Sequence, residues 1–329
     1  MQLIRDWFSL KHSYPGAALA IGIFDGVHIG HQKILGQAVR AARAAATAAV
    51  VFTFEPHPDA TLHPERAPDR ILDFERKLDL LRGLGVDAVV CPDGPLPVLA
   101  MEPEEFVDRI LVGGIGASLA VEGLDFHFGR RQAGDVNLLR EMGRRKGFRV
   151  ETVEPVLLGG QVVSSTRIRQ AVREGRVAEA RAMLGRPFEF LGRVVHGRRQ
   201  GRDLGYPTVN LAGGDFLVPG DGVYSGWATL SAVGGPPDVG RLDAAISVGR
   251  EPTFGALAQS VVEAYLLDFN AQVYGRTVRL EFVDRIRDQV AFASPAALVE
   301  QMGRDCQAVR QSLARAAVPP VFRGGAGSR

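Results

Sequence analysis

The sequence predicts an α/β domain built on a parallel sheet, followed by a small antiparallel β-barrel or sandwich with a closing helix. Three observations predict it. Up to about residue 184, apolar strand-like runs alternate with amphipathic helical segments, the rhythm of βαβ units. Beyond Gly185-Arg186-Pro187 the pattern becomes short strands set apart by Gly, Pro and Asp. At 329 residues the chain also exceeds the usual limit of one hydrophobic core.

The elements follow in order. Ala17 to Phe24 is a strand of small and β-branched residues ending at the turn-prone Asp25-Gly26, and the Ala-rich Gln32 to Ala46 reads as a helix. Strands at Ala48–Phe54, Ala88–Cys91, Ala117–Val121 and Phe148–Val153 alternate with helices near Asp73–Leu84, Pro103–Val112 and Val136–Lys146. Ser164 to Leu184 reads as one helix capped by hydroxyl residues, and Gly185-Arg186-Pro187 breaks it. The second half carries strands at Phe188–Val195, Gly222–Leu230, Asp243–Val248, Val261–Phe269 and Thr277–Phe282, with a last helix over Pro295–Ala316. Ser231 to Gly240 reads as a hairpin excursion. The expected domains are therefore 1–184 and 187–316, with 317–329, ending RGGAGSR, as a disordered tail.

Composition narrows the function. A net charge of +2, from 39 basic and 37 acidic residues, leaves no general footprint for nucleic acid or membrane. Cys91 and Cys306 form no disulfide framework, the N-terminal MQLIRDWFSLKHSYPG is not a secretory signal, and no apolar run reaches membrane-spanning length. The expected location is the cytoplasm. No oligomeric state can be read.

Ligands in parallel sheets bind at the carboxyl ends of the strands, so the loops after Phe24, Phe54 and Val121 are the places to look. In IGIFDGVHIGH, Ile21 to His31, a strand delivers a helix N-terminus whose N–H groups and dipole favour anions. His28 and His31 share one face there, and Gly30 lets a phosphate approach the backbone. Two imidazoles so placed can donate to charge building on a polyphosphate. A surface pair is the bland alternative, and zinc would need further ligands that no H-E-x-x-H or C-x-x-C supplies. VFTFEPHP holds Glu55 and His57 between prolines as a cleft rim or a structural turn. GLDFHFG brings Asp125, Phe126 and Phe128 to a strand end, where the rings can stack on a planar ligand or join the core. SSTRIR offers Ser164, Ser165 and Thr166 with Arg167 and Arg169, a phosphate cradle or an ordinary helix cap.

These four motifs, in this order over residues 17 to 170, closely resemble the FMN adenylyltransferase module of prokaryotic bifunctional riboflavin kinase/FAD synthetases. HGRRQGRDLGYPTVNL, GVYSGWA, ISVGREPTFG, VEAYLLDF and VYGRTVRLEFVDRIR resemble their kinase module. The resemblance implies a Rossmann-like nucleotidyltransferase domain and a β-barrel kinase domain. It implies that His28 and His31 hold ATP phosphates, with Phe24, Gly26 and Gly30 in the nucleotide loop and Ser164, Ser165, Thr166 and Arg169 completing the cradle. His57, Asp125, Phe126 and Phe128 match the flavin side. The implied reaction is attack of the FMN phosphate on the α-phosphorus of ATP, giving FAD and pyrophosphate; a phosphate already ionised near neutrality needs no general base.

The kinase module must instead activate the ribityl hydroxyl of riboflavin, which calls for a base and Mg²⁺. Glu263 shares a strand face with Val261, Tyr265 and Leu267, where partial desolvation would make it a better base; a solvated edge or an ion pair is the alternative. Thr208 and Asn210 share a strand face as oxygen ligands, and the family gives them to Mg²⁺. By the same comparison Gly197, Gly201 and Arg202 form a phosphate-covering loop. No G-x-x-x-x-G-K-[ST] is present. Departures from the family pattern are Ile23 for asparagine, Leu72 for threonine and Leu124 for an acid. Asp125 stands where asparagine also occurs. Other readings are a phosphopantetheine- or cytidylyltransferase-like enzyme with an accessory barrel, a flavin- or nucleotide-binding regulatory protein, and retention of only one activity.

Overall fold

The apolar runs of the first half pair as a six-stranded parallel sheet in a computed structural model that describes all residues except 197–204, 215, 233–236, 252–258 and 317–329. Its strands are β1 (Gln2–Ile4), β2 (Ala17–Ile21), β3 (Ala49–Phe52), β4 (Ala88–Val90), β5 (Ala117–Gly123) and β6 (Arg149–Val153), in the order β1-β4-β3-β2-β5-β6. Every residue of β2, β3 and β4 is buried, as in a sheet covered on both faces. Helices α1 (Ile29–Ala44), α2 (Phe74–Gly83), α3 (Pro103–Phe106, running on as the π-helical Val107–Ile115) and α4 (Val136–Lys146) connect them. The chain steps outward from β2 through β3 to β4, then returns to the other side of β2 as β5. The switch point therefore lies at the carboxyl ends of β2 and β5. β1, too short to read from sequence, pairs with β4 at the sheet edge.

Two boundaries near the switch point differ from expectation. β2 ends at Ile21, not Phe24, because its pairing with β5 stops at Leu19 and the Ile21 N–H donates instead to the Glu122 carboxyl at 2.8 Å. The chain then turns, with Phe24, Gly26 and Val27 all at positive φ. Helix α1 begins at Ile29, not Gln32, because His28 serves as its N-cap.

The chain forms two compact units. Met1–Pro68 with Phe74–Ser164 make the first, and Asp69–Asp73 with residues 165–316 the second. This differs from the boundary read at Gly185. The segment Ser164–Leu184 is also not one helix but two, α5 (Ser165–Arg173) and α6 (Val177–Leu184), broken where Gly175 takes φ +73°. A Cβ on Gly175 would lie 2.7 Å from the Tyr224 hydroxyl, so glycine permits both the turn and the close approach. Helix α6 packs on barrel strands, which draws the pair into the second unit.

The barrel is closed and antiparallel, ordered β7-β8-β11-β10-β9-β12, from β7 (Phe188–Val195), β8 (Thr208–Ala212), β9 (Gly222–Ser231), β10 (Pro237–Glu251), β11 (Gln259–Leu266) and β12 (Thr277–Arg287). Along β11, Val262, Ala264 and Leu266 are buried while Val261, Glu263 and Tyr265 are half-buried, the period-two alternation of a strand with two unlike faces. Helix α7 (Pro295–Arg315), capped by Ser294, lays Val309 and Leu313 against Trp227, Leu267 and Val283 on the outer wall.

Candidate active sites

The first site is built on the turn from β2 into α1. His28 caps α1 by accepting the His31 N–H on Nδ1 at 3.2 Å, which leaves Nε2 to carry the proton of the neutral ring. The His31 ring stacks on His28 with centroids 3.5 Å apart and meets the Phe24 edge at 5.3 Å. His31 Nδ1 is buried and makes no hydrogen bond among the described residues. Burial first, then His28 and Lys77, hold the His31 imidazole well below its ordinary range, so it is neutral near pH 7. Gly30 has a second reason to be glycine: a Cβ there would press on the His28 ring at 3.0 Å. The result is two stacked neutral imidazoles at a helix N-terminus, with an orphaned ring nitrogen, an arrangement that suits a polyphosphate.

Other expected residues of the first unit take different places. His57 caps the short helix Pro58–Leu62, accepting the Asp59 N–H on Nδ1 at 3.1 Å. Asp125 is exposed, and its carboxylate folds over Gly123, where a Cβ would lie 2.9 Å from it. Phe126 is half-buried. Phe128 is 5% exposed and belongs to the core, stacked behind Phe126 at 5.6 Å, so its ring backs Phe126 instead of offering a face of its own. Ser164 closes the first unit. Ser165, Thr166 and Arg169 open α5 in the second, where Arg169 is buried and its Nε donates to the Asp69 carbonyl at 2.9 Å. Arg167 is tied to Glu179 of α6 at 2.8 Å.

The second site is a cavity of about 200 Å³ between the barrel wall and α7. Glu263 of β11 lines it with Thr208, Tyr265, Ser247, Gln289, Met302 and Cys306. In register, Glu263 lies between Asn210 of β8 and Ser247 of β10, and Thr208 opposes Tyr265. The Gln289 amide donates to Ser247 Oγ and to the Val248 carbonyl, both at 2.9 Å. Across the cavity, Arg287 grips Asp305 of α7 through Nε and Nη2, at 2.9 and 2.7 Å. Thr208 and Asn210 give hard oxygen donors on one face, a set suited to Mg²⁺ shared with substrate phosphates. Gly197, Gly201 and Arg202 lie outside the described residues.

The sequence model of the FAD synthetase family matches residues 10–167, and that of riboflavin kinase matches 184–313. A Pseudomonas fluorescens bifunctional riboflavin kinase/FMN adenylyltransferase is 36% identical over 96% of this chain and 99% of its own length. The chain belongs to the bifunctional riboflavin kinase/FMN adenylyltransferase family. Its Escherichia coli K12 relative is 34% identical over 93% of this chain and 96% of its own. A crystal structure from Streptococcus pneumoniae, described as a macrolide-efflux protein, superposes with TM-score 0.82 at 32% identity, covering 94% of this chain and 98% of that one. Among the described residues no helix is long and apolar enough to cross a membrane.

Sequence reasoning missed several groups at these family sites. Glu122, 1% exposed and with its carboxyl pushed well above the ordinary glutamate range by burial, stands one residue past the strand read at Ala117–Val121. Lys77 shares the inward face of α2 with Leu78 and Leu81, a spacing that was there to be read. Ser247, Gln289 and the Arg287–Asp305 pair meet only through barrel register and helix docking, and carry no local signal.

Proposed function

We propose that Glu263 is the base of riboflavin phosphorylation and that His28 and His31 are the phosphate donors of FMN adenylylation, the two activities this family carries. One observation carries the reading: Glu263 sits in a cavity, flanked in register by Asn210 and close to Thr208, so a carboxylate that can take a proton adjoins oxygens that can hold a metal. There Glu263 takes the proton of the ribityl hydroxyl as its oxygen bonds to the γ-phosphorus of ATP and ADP leaves. Thr208 and Asn210 would hold Mg²⁺, which when bound neutralises charge on the transferring phosphates.

In the first unit the FMN phosphate attacks the α-phosphorus of ATP and pyrophosphate leaves. His28 Nε2–H and His31 donate to that developing charge, with Phe24, Gly26 and Gly30 shaping the loop. The N-terminus of α5 offers Ser165, Thr166 and Arg169 to phosphate, the role the family resemblance gives them. Asp125, His57 and Phe126 face the flavin side, and Phe128 supports Phe126. The location that goes with this reading is the cytoplasm.

Purified protein is incubated with riboflavin, ATP and Mg²⁺, and in parallel with FMN, ATP and Mg²⁺, and the flavins are separated by chromatography. FAD in both reactions is expected. FMN alone from riboflavin would mean a silent first unit, FAD only from FMN a silent barrel, and no conversion a regulatory protein.

A further inference from the structure

Phe24 and Val27 hold positive φ, at 50° and 41°, a backbone region that residues other than glycine rarely enter. Such residues persist only where their surroundings over-determine them. The turn that carries them runs from the end of β2 to the imidazole pair, and the sheet holds its first three residues one by one. The Glu122 carboxyl accepts the Ile21 N–H at 2.8 Å, the Phe52 carbonyl accepts the Gly22 N–H at 3.0 Å, and the Thr53 hydroxyl donates to the Ile23 carbonyl at 3.1 Å. Glu122 and Thr53 are both buried, and they come from the two strands that flank β2. β5 pairs with β2 only as far as Ala120 beside Leu19 and then goes on with β6 to Gly123, so at Ile21 the carboxyl serves in place of the β5 backbone. Thr53 follows β3, and its own N–H is tied to the Val90 carbonyl of β4 at 2.9 Å, which gives the hydroxyl a rigid base.

From this held segment the path to the histidines runs through direct contacts. The Phe24 ring lies over Gly22, where a Cβ would come within 3.1 Å of it. The same ring meets His31 edge-on at 5.3 Å, and His31 stacks on His28 at 3.5 Å. A shift of Ile21 to Ile23 is therefore a shift of the wall on which His31 rests. At the far end of the turn the Gln32 amide donates to the Val27 carbonyl at 2.9 Å. Apolar side chains at 53 and 122 would serve packing without the cost of burying polar atoms. What the hydroxyl and the carboxyl add is direction, since a hydrogen bond fixes the aim of a carbonyl or an N–H and dispersion contacts do not. We propose that Thr53 and Glu122 are positioning residues of the adenylylation site: as a clamp on either side of Ile21 to Ile23 they fix the Phe24 ring, and through it the stacked imidazoles. The proposal rests on reading His28 and His31 as phosphate donors.

The test uses the full chain. Thr53→Val removes the hydroxyl at nearly unchanged shape and Thr53→Ser keeps it, while Glu122→Leu removes the acceptor and Glu122→Gln keeps it. Rates of FAD formation from FMN and of riboflavin phosphorylation are measured, and the ring resonances of His28 and His31 are followed by NMR. Thr53→Val and Glu122→Leu should each lower kcat for FAD formation by about 10- to 10²-fold, the scale of an ångström's misplacement, and should move both sets of ring resonances. Thr53→Ser and Glu122→Gln should recover most of the rate and the parent resonances, and riboflavin phosphorylation should be unchanged in all four. Thr53→Val decides the matter alone should Glu122→Leu not fold. An undiminished kcat in Thr53→Val, a loss of equal size in Thr53→Ser, or ring resonances unmoved in Thr53→Val would overturn the proposal. Failure of the donor reading is separate: it would show as undiminished FAD formation in His28→Ala with His31→Ala, while the ring resonances of Thr53→Val still read whether the clamp holds the imidazoles.

Discussion

The two sites of this chain solve opposite problems with opposite materials. At the carboxyl end of the interior strand β2, a turn with three residues at positive φ holds two neutral imidazoles against a helix N-terminus. On the barrel, a carboxylate stands in the regular register of three paired strands, beneath a helix clamped from across the cavity. The nucleophile of adenylylation arrives ionised, so its site needs donors and no base. The nucleophile of the kinase arrives as an alcohol, so its site needs a proton acceptor. The strained turn supplies N–H vectors that no regular strand could aim, and the strand supplies a rigidly placed oxygen.

This contrast breaks most visibly on chemistry. Glu263→Gln should lower FMN formation from riboflavin by roughly 10²–10⁴-fold and leave FMN-to-FAD conversion unaltered. Full kinase turnover in that variant would remove the base from the comparison. His28→Ala with His31→Ala should do the reverse, costing about 10²–10³-fold or more in FAD formation while the kinase rate stands. Kinase assays across a Mg²⁺ series should place Asn210→Ala at a higher metal requirement, and an unchanged series would take Asn210 out of the metal set.

Stability sharpens the same comparison. Asp305→Ala leaves Arg287 without its partner, and calorimetry should find the barrel weakened by about 3 kcal/mol, the first unit being spared. Glu122 gives a smaller effect with a definite sign. Its carboxyl is raised by burial, so its contribution is complete below the ordinary glutamate range and is lost as pH rises towards the raised value. Glu122→Gln should keep an acceptor for the Ile21 N–H and flatten that slope in denaturation measured across pH. Glu122→Leu should lose the acceptor as well, at a cost of about 1–3 kcal/mol.

What could be read from the sequence followed the range of its signals. The parallel sheet was legible because β2, β3 and β4 are apolar on both faces, and the face of Glu263 because strand period is local. The histidine pair was legible as a helix start, although the cap came earlier than expected. What escaped depends on contacts made at long range. The Glu122 carboxyl stops a strand by reaching 101 residues back to Ile21, and Gly175 splits a helix to admit Tyr224. Phe128, at a spacing more often found in a core than on a ligand, is fixed there by Phe106 and Phe126, which no local pattern announces.

The clamp between Arg287 and Asp305 bears on the order in which a growing chain becomes useful. Chains fold from the N-terminus as they are made. The imidazole turn, complete by His31, needs only its own sheet, whose last strand ends at Val153. The ceiling of the kinase cavity is α7, so a ribosome must deliver Asp305 before that chamber has a roof. A nascent chain stalled between those points would own a finished imidazole turn and an open-topped barrel. The turn that carries the imidazoles would thus form before the roof of the kinase cavity.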